Sequence, residues 1–263
     1  MLSKAVEWDI LKSHPLAKLK PFKTDNGIVR YLTSEEEERL RKALIARDNQ
    51  IKLARCNGNV WRQERGYELY PNLGAQAFAD HLHPIVILAI NTGLRRGEIF
   101  QLKSSDVNFD SEILTVKAAN SKSGKARHVP LNRQAYSVLY HWRQQQKNGN
   151  YLVFPSKNSL AFSHIKRSWA SLLSSAEIEN FRFHDLRHHF ASKLVMAGVD
   201  LNTVRELLGH ADIAMTLRYA HLAPEHKANA VKKLLQDFPI VSQNFNKNLE
   251  NKIYRNSEQH SDN

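Results

Sequence analysis

The chain has 263 residues, 42% of them hydrophobic, enough apolar material for one large domain or two small ones. Its 38 Lys and Arg against 26 Asp and Glu give a net charge of +12, which favours a polyanion or an acidic surface as partner. The single cysteine, Cys56, excludes an intrachain disulfide or a multi-thiolate zinc site and fits a reducing, intracellular setting; the charged residues 1–13 hold no signal-peptide core, and the longest apolar run, Ile85 to Ile90, is far too short to span a bilayer.

Residues 1–13 are expected to form a short amphipathic helix, with Leu2, Val6, Ile10 and Leu11 on one face and Pro15 interrupting it. Residues 14–30 are basic and punctuated by Pro21, Asn26 and Gly27, which reads as a linker. The main domain begins near Tyr31. Thr33 and Glu36 form a T-x-x-E capping box ahead of Leu40, Leu44 and Ile45, and the acids between Ser34 and Glu38 suit the first turns of a helix. Residues 48–80, polar and carrying Gly58, Gly66, Pro71 and Gly74, read as irregular structure with short helices. A helix opened by Pro84 and continued by Ile85, Leu88 and Ala89 ends at Thr92-Gly93, and a turn or short helix follows from Leu94 to Leu102. Short strands are expected at 113–117 and 126–131, separated by NSKSG, with a third at 151–154 ended by Pro155. Further helices are expected at 133–147, 163–176, 184–197, 201–208, 213–222 and 225–235, with Gly198 just past one end and Asp212 capping a start. The fold class is therefore mainly α with a small antiparallel β-sheet.

Several polar groups stand where these patterns start or break. His184 and Arg187, three apart at a helix start, can point from one face toward a common ligand, although a capping histidine and a surface arginine would give the same pattern. His184 and His188 have the i,i+4 spacing of a metal pair, but no HExxH glutamate or other donor set accompanies them, and no metal site is expected. Arg95 and Arg96 follow TGL at a helix boundary. A guanidinium there matches two phosphate oxygens, while the ordinary alternative is a surface pair solvating a helix start. Glu98 reads as orienting or balancing these arginines rather than as a base. Lys122, in NSKSGK, can reach a ligand and give up a proton, with Lys117 and Lys125 as competitors and a solvated turn lysine as the default. Tyr219, in LRYAHL, would ordinarily be a buried helix aromatic. Its phenol, with a free pKa of about 10, becomes a nucleophile toward a phosphodiester only if arginines neutralise the transition state and a neighbour takes its proton. His210, nine residues upstream, is close enough to assist.

Taken together, these stretches resemble the tyrosine recombinases, the phage integrase family. TGLRRGEIFQL resembles the first-arginine motif, which makes Arg95 that arginine and Glu98 its companion acid. NSKSGKARHVPL resembles the β-hairpin carrying the catalytic lysine, matched by Lys122, and HDLRHHF resembles the H-x-L-R-H box, giving His184 and Arg187, with His188 as a structural histidine. LLGHADIAMTLRYAHL resembles the final box, with His210 and the nucleophile Tyr219.

The resemblance covers residues 31–235 and implies the catalytic-domain fold of that family. It also implies attack by Tyr219 on DNA to leave a 3′-phosphotyrosyl link and a free 5′-hydroxyl. Arg95 and Arg187 would clamp the nonbridging oxygens, Lys122 would protonate the 5′-oxygen, His184 would assist proton transfer and His210 would bond the phosphate. No metal, ATP or other cofactor is implied. The implied partners are double-stranded DNA and further copies of the chain, up to a tetramer in the synapse, with no membrane; the expected location is the cytoplasm, on the nucleoid. The flavour of residues 78–102 leans toward a prophage or mobile element. AVEWDILKSHPL resembles only the last helix and exit linker of the family's core-binding domain. The expected organisation is therefore a remnant and linker at 1–30, the catalytic domain at 31–235 and a flexible polar tail at 236–263, with intact chemistry but poor autonomous recombination. Two other readings stand beside this one: strand cleavage and religation of the type IB topoisomerase kind, and a non-catalytic DNA-binding remnant.

Overall fold

The computed structural model describes residues 2–19, 29–118, 124–146, 151–156 and 160–223. The expected helix at 225–235, the tail at 236–263 and Lys122 lie outside the described residues. At the front, α1 spans only Leu2–Glu7 and buries nothing; the chain leaves the helix through Asp9, whose φ of 55° is left-handed, so the expected helix over 1–13 is cut short.

The second helix, α2 (Ser34–Glu64), begins as the capping box specifies. The Glu36 amide donates to Thr33 Oγ1 (3.2 Å), and the Thr33 amide donates to Glu36 Oε2 (2.9 Å). Its 31 residues run through 48–64, the first part of the region expected to be irregular, while 65–80 holds no regular helix or strand. The reason is visible in its burial. Glu37, Leu40, Ala43, Leu44 and Asp48 are buried, and no residue after Asp48 is. The outer half therefore carries no apolar periodicity to read. It is held instead by the returning strand of chain. Asn59 and Tyr70 exchange two hydrogen bonds (2.9 and 3.0 Å), Arg55 donates to the Pro71 carbonyl (2.9 Å), and the Arg62 guanidinium lies 4.3 Å from the Tyr70 ring centre. At the buried end, Glu37 joins α2 to a later helix by accepting from Lys193 (2.8 Å) and lying 3.3 Å from His189 Nε2. The His189 contact first, then Lys193 and Arg41, outweigh burial and hold Glu37 well below the usual carboxylate range.

The core is built around α3 (Leu82–Thr92), in which only His83 and Asn91 escape full burial. It packs against α5 (Arg133–Gln145) and α7 (Asp185–Met196). Between α3 and α5 come α4 (Arg96–Phe100) and a three-stranded antiparallel sheet, β1 (Val107–Asn108), β2 (Ile113–Val116) and β3 (Arg127–Pro130), in that spatial order. The register pairs Leu114 with Val129 and Val116 with Arg127, so Leu114, Val116, Arg127 and Val129 all face inward. The strand expected at 151–154 is absent as such. Leu152 makes one isolated bridge to Lys103, while Phe154 is fully buried and Trp142 donates to the Val153 carbonyl (2.6 Å). A segment pinned by one buried ring, and stopped by Pro155, has no length left to pair.

After α6 (Lys166–Ser175) and α7, a second cluster forms on α8 (Leu201–Leu208), with Ala191, Val195, Val204, Leu208 and Tyr219 at its centre. The helix expected at 213–222 is broken into α9 (Ala214–Leu217) and a 3-10 turn at Ala220–Leu222. Tyr219 stands in the break. Its amide donates to Thr216 and its carbonyl accepts from Leu222, both three residues apart, because i to i+3 winding stacks the buried Thr216 and Tyr219 on one face. Asp212, expected to cap this helix, stands one residue ahead of the N-cap Ile213 and instead closes the turn before α9 by accepting from the Ala214 amide (2.9 Å).

Gly93 ends α3 at a φ of 62°, and a Cβ there would lie 2.4 Å from Phe190 Cδ1 and 3.0 Å from Leu208 Cδ2. Gly93→Ala is expected to lower unfolding free energy by about 2–4 kcal/mol, from left-handed strain plus overpacking. Equilibrium urea unfolding measures it, and an unchanged midpoint would show that α3 and α7 can separate freely.

Candidate active site

The site assembles from helix ends. His184 precedes α7, whose Asp185 accepts from the Arg182 amide (2.8 Å) and guanidinium (3.0 Å) and so fixes the entry of the chain. One turn in, Arg187 is buried rather than on the surface, with 3% of it exposed. It donates from Nη1 to the Gly93 carbonyl (2.8 Å) and from Nη2 to the Leu208 carbonyl (2.6 Å), joining the ends of α3 and α8.

The end of α8 is closed by a Schellman motif. Gly209, at a φ of 65°, donates to Glu206, and His210 donates to Arg205. The two remaining carbonyls of that last turn, Leu207 and Leu208, accept from Arg127 Nε (3.0 Å) and Arg187 Nη2 (2.6 Å). Gly209 thus turns the chain so that His210 leaves beside both arginines.

Arg95 precedes α4. Its amide and Nη1 donate to Glu98 (2.8 and 3.0 Å), and Glu98 in turn accepts from both ends of the Arg127 fork (3.0 and 2.7 Å). The expectation that Glu98 orients the arginines agrees with this geometry. Burial alone would raise its pKa, but Arg127 first and Arg95 second hold the carboxyl below its ordinary range. Lys117 is drawn into an ion pair with Asp106 (2.7 Å). Lys125 lines a cleft of about 480 Å³ between β3 and the end of α8, together with Arg127, His128, Arg205 and His210.

Tyr219 is 1% exposed, and its hydroxyl meets His188 Nδ1 at 2.7 Å. His188, expected to be structural, therefore touches the nucleophile candidate. The signal for this was its i,i+4 spacing from His184, weighed only as a metal pair; the two rings meet edge to face with centres 5.3 Å apart. His210 Nδ1 lies 2.8 Å from Thr216 Oγ1, three residues before the tyrosine.

One electrostatic neighbourhood covers these residues. Burial, then the Arg95 charge, push Arg187 down to about 9, which leaves it cationic at neutral pH. Burial, then Arg187 and Arg95, push His210 down to about 3, and burial, then His184, push His188 down to about 4. His184 is lowered too, by packing against its neighbours and then by Arg187, although it keeps an open face to solvent. Burial raises the Tyr219 phenol, against the pull of Arg187 and Arg218. The site thus combines fixed cations, neutral imidazoles and a protonated phenol. The tautomer of neutral His188 with its proton on Nε2 is the one whose Nδ1 accepts the phenolic hydrogen across this 2.7 Å contact. Arg95, His184, Arg187, His210 and Tyr219 are brought together; among the described residues no three His, Cys, Asp or Glu converge as a metal site would require.

A family model described as the phage integrase family matches residues 68–226. The integrase of Salmonella phage P22 is 35% identical over 183 residues, which cover 63% of this chain and 46% of that one. The tyrosine recombinase XerA of Pyrococcus furiosus is 30% identical over 205 residues, covering 76% of this chain and 67% of that one. The solved structure of the catalytic domain of bacteriophage HP1 integrase superposes with a TM-score of 0.52 at 27% identity, over 80% of this chain and 98% of that one. The chain spans about half the length of several of its relatives.

The neutral histidines carry a stability signature. Their folded pKa values lie below the unfolded value of about 6.5, so unfolding takes up protons and stability is lost as pH falls through that value. Between pH 6.5 and 5, unfolding free energy should drop by up to roughly 1.4 kcal/mol per pH unit for each of the two enclosed imidazoles, His188 and His210. Urea titrations across that window read the slope, and the pair of substitutions His188→Asn and His210→Asn should flatten it. A flat profile for the unsubstituted chain would mean that these imidazoles are not held neutral.

Proposed function

The chain belongs to the phage integrase family, and from that premise we propose that it cuts and rejoins duplex DNA at a specific site through a covalent link to Tyr219. The observation that carries this reading is the hydrogen bond of the Tyr219 hydroxyl to a neutral histidine, within the field of the buried Arg187. The phenol gives its proton toward His188 as its oxygen bonds to phosphorus. The bond from phosphorus to the 5′-oxygen breaks, and that oxygen leaves as a hydroxyl after taking up a proton. Arg187, held by two carbonyls through part of its fork, offers its remaining donors to the nonbridging oxygens beside Arg95. His210 and His184 border the same oxygens as neutral hydrogen-bond groups, and Lys122 takes the part of the acid for the 5′-oxygen. A second 5′-hydroxyl then attacks the link and frees the tyrosine, so the number of phosphodiester bonds is conserved and no external energy source enters.

The buried seat of Tyr219 means that this segment shifts before a DNA phosphate reaches the hydroxyl. A short helix and a 3-10 turn suit such a shift, since few backbone bonds have to break. The catalytic unit of this reading is 31–235, and the net charge of +12 supports duplex DNA as partner, with further copies of the chain assembling on it up to a tetramer.

Incubating the chain with a randomised pool of nicked duplexes and recovering detergent-resistant protein–DNA adducts tests the reading and identifies the site. Adducts are expected from the unsubstituted chain, none from Tyr219→Phe, and a rate lower by roughly 100- to 1,000-fold from Arg95→Ala. DNA binding without adducts would favour the non-catalytic reading, and efficient relaxation of plasmids lacking the recovered site would favour the topoisomerase one.

A further inference from the structure

We propose that Arg127, at the first position of β3, is a positioning residue for the strand-transfer reaction, setting Arg95 and His210 in place without touching DNA. The inference rests on the reaction proposed above. Arg127 is 8% exposed, and its guanidinium is used at each nitrogen. Nη1 and Nη2 donate to the two oxygens of Glu98 (3.0 and 2.7 Å), and Nε donates to the Leu207 carbonyl (3.0 Å). Glu98 in turn takes the side chain and amide of Arg95 on the same two oxygens, so the direction of the Arg95 fork depends on a carboxylate whose own orientation Arg127 sets. The Leu207 bond fixes the last turn of α8, two residues before the glycine that releases His210. That glycine is fitted to the arginine: a Cβ at Gly209 would lie 2.9 Å from Arg127 Cδ. Through its register opposite Val116, Arg127 also anchors the end of the hairpin whose connection carries Lys122.

A buried ion pair adds little net stability over apolar packing of the same volume, so stability is a poor explanation for a charged group here. Its geometry explains more. Three guanidiniums, Arg95, Arg127 and Arg187, surround one carboxylate. Arg127 takes both oxygens of that carboxylate while Arg95 reaches only one with its side chain, so the carboxylate's charge is shared and not spent on Arg95 alone. A lysine could supply the charge but not both the fork and the Nε bond.

The test compares two substrates built on the duplex recovered by adduct capture. One has the natural scissile phosphodiester; the other has a nonbridging oxygen replaced by methyl, which removes one charge and with it much of the need for an aligned arginine. With Arg127→Gln, adduct formation on the phosphodiester should slow by roughly 100-fold, the cost of misplacing a catalytic group by an ångström or so. On the methylphosphonate the loss should shrink to less than about fivefold, because the transition state no longer needs the same charge. Arg127→Lys, which keeps the buried charge and so folds where Gln does not, should show the same substrate dependence with a smaller loss. Equal losses on both substrates would reduce Arg127 to a structural ion pair, and undiminished rates would remove its role altogether; either leaves the parent reaction standing. Absence of adducts from the unsubstituted chain on the phosphodiester would remove the reaction and the role together.

Discussion

The last turn of α8 carries four carbonyls that no later helical residue can serve, and the groups that serve them decide where the site's charges sit. Gly209 and His210 satisfy two from the backbone, and Arg127 and Arg187 satisfy the other two. Both guanidiniums thereby face the negative end of a helix dipole, which offsets part of the cost of burying them. The same bonds hold the fold and place the chemistry. Arg187 cannot swing away without opening the end of α8 and releasing the Gly93 carbonyl at the end of α3. A cation that is to meet a phosphate is thus already aligned, and the reorganisation that a mobile arginine would need during the reaction is avoided.

Around these fixed cations, with Glu98 as their one paired carboxylate, the imidazoles and the phenol are kept uncharged. The imidazoles of His184, His188 and His210 are depressed and the Tyr219 phenol is raised, so the resting site is positive only through its arginines. An entering phosphate diester lowers the positive charge of that environment. The cations that disfavour protonated histidines would then be balanced by the anion, and an imidazole accepting a proton would no longer do so against a bare positive field. In the proposed reaction the neighbours of Tyr219 would thus gain basicity once the phosphate is in place, which would separate a resting phenol from an attacking one without any added group.

Much of this was legible in residue order, and the parts that were not share a physical cause. The capping box at Thr33, the stop at Gly93 and the polar breaks at His184 and His210 are local signals, and each stands where its pattern put it. Arg127 was overlooked because a basic residue at the start of a strand looks solvated; its burial comes from Glu98, which lies 29 residues earlier, and from a carbonyl 80 residues later. The resemblance gives His188 a structural part, and its contact with Tyr219, 31 residues away, has no local signal. The strand at 151–154 failed because β-propensity reports a half-buried pleat, whereas one ring and one bridge hold that segment. The broken helix at 213–222 failed because two buried side chains three apart override a pattern of period 3.6.

The outer half of α2 has a different kind of consequence. Sixteen residues beyond Asp48 reach about 24 Å at the rise of an α-helix, and none of them is buried. Their backbone bonds are supported by ring stacking and a returning loop, not by the core. That half can fray and re-form without any cost to the packing around α3, so its amides exchange with solvent on their own clock while those before Asp48 wait for global opening. One continuous helix therefore contains two cooperative units, and the border between them falls at the carboxylate of Asp48, which meets His83 at 2.7 Å.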